Sequence, residues 1–180
     1  MKETNKGKEK TIQVLTLAFG IAFMPPLWAV LAPYIGITTG AVALICAGIF
    51  AANGNRYADA PKICIGFLCG DCWAAAALFI MERLNLHPDI ELYLTLFILG
   101  GLAVIFSSLL EKYIFLPAWL CGWAIGLTIM VPAGLSAAKN LSQQIGAAMI
   151  VGVIYVGIGV DLLQKALLRI FGIAARENRT

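Results

Sequence analysis

The chain has 180 residues, 61% of them hydrophobic and 13% charged, with a formal net charge of +3 and a mean hydropathy of +0.87. A soluble domain is about 45–50% apolar and about 25% charged, so this chain carries more apolar surface than one water-soluble core can hide; a bilayer is the solvent that accepts it. The basic excess has no aromatic interleaving of the kind a nucleic-acid face needs, so nucleic acid is excluded as a partner and the charge reads as topological.

Residues 1–10, MKETNKGKEK, are polar, carry four lysines, and read as a cytoplasmic tail too hydrophilic to order itself. An apolar run over 11–33 follows. Lysines before an apolar run also fit a signal peptide, but Pro25-Pro26 interrupts it and no small-x-small cleavage site follows, so it is kept as the first helix. The doubled proline lacks two amide donors and predicts a break or kink near Met24. Such a break can present backbone groups to a solute, and a kink healed by neighbouring helices is the plainer alternative.

Further apolar runs cover 35–52, 63–81, 90–110, 116–135 and 145–163. Each run has about 18–23 residues, and about 20 residues cross a hydrocarbon core of about 30 Å. The runs are continuous rather than alternating, and a helix satisfies its own backbone in lipid, so helices are expected rather than barrel strands. The expectation is an all-α, polytopic membrane protein with six transmembrane helices in one domain over 11–168, followed by a polar cytoplasmic tail over 169–180. Pro61 and Pro117 fit first-turn positions of the third and fifth helices.

With six alternating helices, Lys2, Lys6, Lys8, Lys10, Arg56, Lys62, Lys112, Lys165, Arg169, Arg176 and Arg179 share one side, and only Arg83 and Lys139 take the other. That asymmetry places both termini in the cytoplasm and supports an even helix count. Two internal alignments exist. A shift of 56 superposes Pro61, Gly66 and Gly70 on Pro117, Gly122 and Gly126, but it does not tile the whole chain. A shift of 80 superposes Gly20, Gly54 and Gly66 on Gly100, Gly134 and Gly146, and tiles the chain as a 3+3 inverted repeat, an arrangement common in transporters.

Asp71 stands in the middle of the third run, in GFLCGDCWAAAALF. An ionised carboxylate at that depth costs about 2.5–3.5 kcal/mol on insertion scales, so it must face protein or water, or be protonated. It reads as a substrate-binding or proton-relay carboxylate, and equally as a hydrogen-bonded structural acid. Trp73 and Trp123 lie too deep for the interfacial belts; with Tyr155 they offer an aromatic wall suited to a small cation or amine, or plain bundle packing. Gly36/Gly40, Gly66/Gly70 and Gly122/Gly126 form three GxxxG pairs for close helix packing. Asp161, four residues before Lys165, reads as an interfacial ion pair.

Five cysteines, Cys46, Cys64, Cys69, Cys72 and Cys121, fall in or beside apolar runs and read as small hydrophobes. Cys69 and Cys72 sit about 60° apart on a helix, but Asp71 points away from them and the single histidine, His87, lies in a loop; no metal or cofactor is expected. No nucleotide loop, HExxH helix or GxSxG elbow occurs, so no enzyme activity is expected.

The stretch LWAVLAPYIGITTGAVALICAGIFAANG, then Lys62 and GFLCGDCW, resembles the first half of the YcdZ-like inner-membrane proteins, the domain-of-unknown-function 1097 family. FLPAWLCGWAIGLTI over 115–129 resembles that family's Phe-x-Pro segment. The resemblance runs from about Leu27 to Leu167, with Trp28, Gly36, Phe50, Lys62, Trp73 and Pro117 the best matches; Asp71 and the doubled proline fall outside its pattern. It implies a small multi-pass protein of the inner membrane and lends no activity. From the residues, the expected function is a channel or secondary transporter for a small polar or amine solute. The alternative is an accessory membrane protein acting through helix association. The partners expected are the bilayer and further copies of the chain.

Overall fold

A computed structural model describes residues 2–84 and 86–173, with side chains from residue 7 onward. The described residues are helical with short connections: α1 (Lys2–Leu31), α2 (Val42–Ala52), α3 (Ala60–Leu84), α4 (Pro88–Leu109), α5 (Leu116–Ala133), α6 (Leu135–Val151) and α7 (Gly159–Ile170). A π-helical segment, Gly152–Ile158, joins α6 to α7 in one 36-residue rod. That makes six rods, five of them long and apolar enough to cross a membrane. The polytopic helical architecture is therefore as the composition requires.

The helix starts follow local chemistry. His87 and Phe115 hold extended backbone just before α4 and α5, and Pro88 and Pro117 occupy the first turns, where a missing amide hydrogen costs nothing. Asp89 and Glu91 add negative charge at the N-terminus of α4. Gly134, at φ +78°, turns the chain directly from α5 into α6.

The bundle is organised by α3 on α5. A Cβ placed at Gly66 would sit 2.7 Å from the Phe115 carbonyl oxygen, and one at Gly122 would sit 2.5 Å from that of Phe67. Gly70 lies against the backbone of Trp119 and Trp123, and Gly126 against Ala74. Contacts advance together along both helices, so α3 and α5 are parallel and pack backbone to backbone. The packed partners 70 and 122 differ by 52, one helical turn short of the shift of 56 that aligns the two sequences.

Several expected boundaries move. The second apolar run yields an 11-residue helix, α2, because residues 36–41 are irregular. Gly36 takes φ +80° to end a 3-10 turn, Ala32–Ile35, so the Gly36/Gly40 pair is not a helical packing stripe. Gly40 still permits close approach: its carbonyl accepts from Trp28 Nε1 at 3.1 Å, and a Cβ there would meet Ala32 at 3.1 Å. The Pro25-Pro26 break is also absent, since α1 runs unbroken from Lys2 to Leu31. Two missing donors remove the bonds to the carbonyls of residues 21 and 22, and the ladder closes on either side of them. The helix likewise includes residues 2–10, whose lysines and glutamates are good helix formers next to an already nucleated helix. The last rod starts at Leu135 rather than near Ile145, because the polar stretch 139–144 is helical, with Ser142 and Gln144 bonded to other elements and Lys139, Asn140 and Gln143 exposed. The expected C-terminal tail from 169 begins with the end of α7; its residues 174–180, with Arg176 and Arg179, lie outside the described residues, as does Asn85.

Candidate functional site

Asp71 is buried, at 3% exposure, where α3 meets α5 and α6. Ser142, on α6, donates its hydroxyl to Asp71 Oδ2 at 2.5 Å. The other oxygen, Oδ1, is enclosed and has no hydrogen-bond partner among the described residues. The carboxylate packs beside two glycines: a Cβ at Gly126 would lie 3.5 Å from Oδ1, and one at Gly146 would lie 3.9 Å from Oδ2, both ordinary contact distances.

The depth of this group follows from the contacts at one end of the bundle. Glu82 Oε1 accepts from the Leu135 amide at 3.1 Å, which joins the end of α3 to the start of α6. Ser142 lies seven residues past Leu135 and Asp71 eleven before Glu82, or about 10 and about 16 Å along their helices. The carboxylate is therefore close to the middle of a hydrocarbon layer of about 30 Å. Just past Ser142 on the same helix, the end of the α6 polar strip is engaged. Gln144 Oε1 accepts from the Thr38 amide at 3.0 Å and from its hydroxyl at 2.9 Å. Asn140 is 3.4 Å from Gln144 Nε2, and the Thr39 hydroxyl is buried without a partner. Within this irregular stretch, the Gly36 and Ile37 amides bond to the Pro33 and Ala32 carbonyls and the Thr38 amide to Gln144, so protein groups satisfy part of its backbone, as membrane depth requires.

The aromatic residues expected around Asp71 lie elsewhere. Trp73 is on the α4 side of α3: its Nε1 donates to the Leu99 carbonyl at 3.0 Å, and its ring meets Phe106 and Trp119 edge-on at 6.1 and 5.3 Å. Trp123 is buried with its ring against Gly100 of α4, and its Nε1 has no partner among the described residues. Tyr155, in the π segment, packs with Trp28, Ala43 and Val156 beside α1 and α2. Asp71, Trp73, Trp123 and Tyr155 do not share one pocket. Pro25 and Pro26 lie on α1, away from Asp71. Gly66, Gly70, Gly122 and Gly126 form the α3–α5 seam that fixes the position of Asp71.

Ser142, Gln144 and Thr38 were not singled out by sequence reasoning. For Ser142 and Gln144 a signal was available: the polar run Lys139–Gln144 holds neither glycine nor proline and lies between helix-forming neighbours.

A second polar junction closes the opposite, basic end, where Arg56, Lys62 and Lys165 lie. Asp161, buried on α7, accepts from Asn55 Nδ2 at 3.2 Å, from Lys165 Nζ at 2.7 Å and from the Tyr57 hydroxyl. Lys165 Nζ also donates to the Tyr57 oxygen at 3.1 Å and lies over its ring. The expected Asp161–Lys165 pair is thus part of a larger lock between the α2–α3 connection and the last helix. Asn55, at φ +55°, is held in the left-handed region that turns the chain there.

A family model described as "Protein of unknown function (DUF1097)" matches residues 18–165, and the chain belongs to that family. No curated protein and no solved structure matches it.

Proposed function

We propose that this DUF1097 protein is a channel or secondary transporter for a small polar or amine solute, with Asp71 as its working group. One observation carries the reading: an enclosed mid-depth carboxylate with one oxygen held by Ser142 and the other unpartnered. A carboxylate at that depth is costly, and an unsatisfied oxygen adds to the cost, so its presence is better explained by a proton or cation it binds than by packing. The polar strip Lys139–Gln143, with Lys139, Asn140 and Gln143 exposed, supports an approach from the end opposite the basic one. The aromatic wall forms no part of this version. Nor does the proposal depend on the 3+3 repeat, which would place the site at a repeat interface.

The test is uptake of radiolabelled methylammonium, with proton movement followed by an interior dye, in proteoliposomes. Asp71→Asn abolishes uptake, and Ser142→Ala reduces it while leaving the protein folded. Equal uptake by wild type and Asp71→Asn refutes the role of Asp71. The same reading takes the protein as non-enzymatic, in the inner membrane, with both termini cytoplasmic; reporter tags on the two ends must report the same side.

A second reading, association through helix faces, draws on α4. That helix packs on α3 and α5 while Tyr93, Phe97, Ile98 and Ile105 remain exposed along it. A homo-oligomer buried through α4 would show as crosslinks between copies at Phe97, and no transport of any solute would then favour the accessory role.

A further inference from the structure

On the side of the bundle away from Asp71, α1 leans on α7, with Gly20 against Val160 and Gly159 against Met24. It meets α2 at one end, where Trp28, Ala32 and Ala43 share an apolar cluster with Val156 and Val160. Below that contact the two helices part and leave a cavity of about 120 Å³ floored by the π segment. Leu17, Ile21 and Pro25 line it at successive turns of α1, and Leu44, Gly48 and Ala51 at successive turns of α2. Eight residues of α1 measure about 12 Å, so the cavity is a slot running along the helices. Its polar lining, Asn55 and Asp161, is confined to the basic end. Small residues create it: a Cβ at Gly48 would meet nothing within 4 Å.

We infer that this slot seats one acyl chain of a phospholipid from the leaflet at the basic end. Ile21 and Leu44 are 48% and 52% exposed, so the slot opens sideways at membrane depth, where the surrounding matter is hydrocarbon. An empty apolar void forfeits dispersion contacts, and water needs two or more polar partners that the slot offers at one end alone. A chain slid between α1 and α2 restores those contacts. The charges at the mouth suit its phosphate. Lys165 donates to Asp161 and Tyr57, leaving one of its three N–H groups, and the Arg56 side chain, 56% exposed, uses Nε of its five N–H donors on Asp59 at 3.4 Å.

The probe is phosphatidylglycerol carrying a mid-chain diazirine, photolysed with the full-length protein in liposomes, with adducts mapped by mass spectrometry. Wild type gives adducts on α2 and the π segment at Gly48, Ala51 and Val156, together with adducts on the lipid-facing side of α4 around Phe97. Gly48→Leu fills the slot, so the slot adducts are lost and the α4 adducts stay. Thermal unfolding of the variant is followed in parallel, and Ala51→Leu replaces it if Gly48→Leu does not fold. Slot adducts that persist in a folded filled variant, or wild-type adducts confined to α4, overturn the assignment.

Discussion

Gly70→Ala is the sharpest test of how the bundle is built. The added methyl would lie 2.6 Å from the Trp123 amide nitrogen and 2.9 Å from the Gly122 carbonyl carbon, and it would meet the Trp119 carbonyl oxygen as well. Ordinary contact begins at 3.4 Å, so α5 must withdraw by more than about 0.8 Å at this crossing, and the opposing atoms are backbone with no rotamer to change. Overpacking of this kind costs about 1–3 kcal/mol. Alanine returns roughly 0.5–1 kcal/mol through its better helix propensity. The expected net is a loss of about 1–2 kcal/mol, because withdrawal at Gly70 also loosens the seam at Gly66 and Gly126. Gly48→Ala is the matched control: its methyl meets nothing within 4 Å, so only the propensity gain remains and the sign reverses. Equilibrium unfolding by sodium dodecyl sulfate in mixed micelles, read by fluorescence of Trp119 and Trp123 at the seam, measures both. A Gly70→Ala protein as stable as wild type, or a Gly48→Ala protein that loses as much, would refute parallel backbone-to-backbone packing.

Tyr57→Phe keeps the stacked ring against Phe50 but removes a donor to Asp161 and an acceptor for Lys165; a loss of about 1–2 kcal/mol is expected in the same titration. Pro25→Ala with Pro26→Ala restores two amide donors inside a helix that is already continuous, so stability rises by about 1 kcal/mol or more; a fall would mean that neighbouring helices rely on the proline bend. Gln144→Ala leaves the Thr38 amide and hydroxyl without their acceptor, a loss of about 1–3 kcal/mol locally. Hydrogen exchange should then quicken about tenfold or more over 37–40, with α3 and α5 unchanged.

The α3–α5 seam was legible because its signal is local: four-residue spacing of glycine is enough to clear a stripe on a helix. The second rod was not, because IGITTGA is apolar in composition and hydropathy does not register that Gly36 leaves the helical region. The last rod was misjudged for the opposite reason. The stretch 139–144 looks like a loop by polarity, but its side chains meet Thr38 and Asp71 from elements more than seventy residues away. The failed aromatic wall was avoidable, since Trp73 is two residues from Asp71, about 200° around one helix, and the two cannot line the same face.

Both departures from regular helix sit on the surroundings of one rod. At one end, residues 36–41 are irregular and Gln144 of α6 accepts from Thr38 among them; further along, the π segment widens the rod where Gly152 meets Ala43 and Gly157 meets Phe50. α2 is the element between them, too short to cross the hydrocarbon layer alone and packed mainly against this rod. A π turn carries one extra residue, so it changes the rotation of α7 relative to α6. Ser142 can then face Asp71 while Asp161, beyond the turn, faces Asn55 and Tyr57 on the connection after α2. A regular helix over the same residues would turn either Ser142 or Asp161 away from its partners. The wide turn therefore has a physical reason: it reconciles a mid-depth carboxylate site with the lock at the basic end.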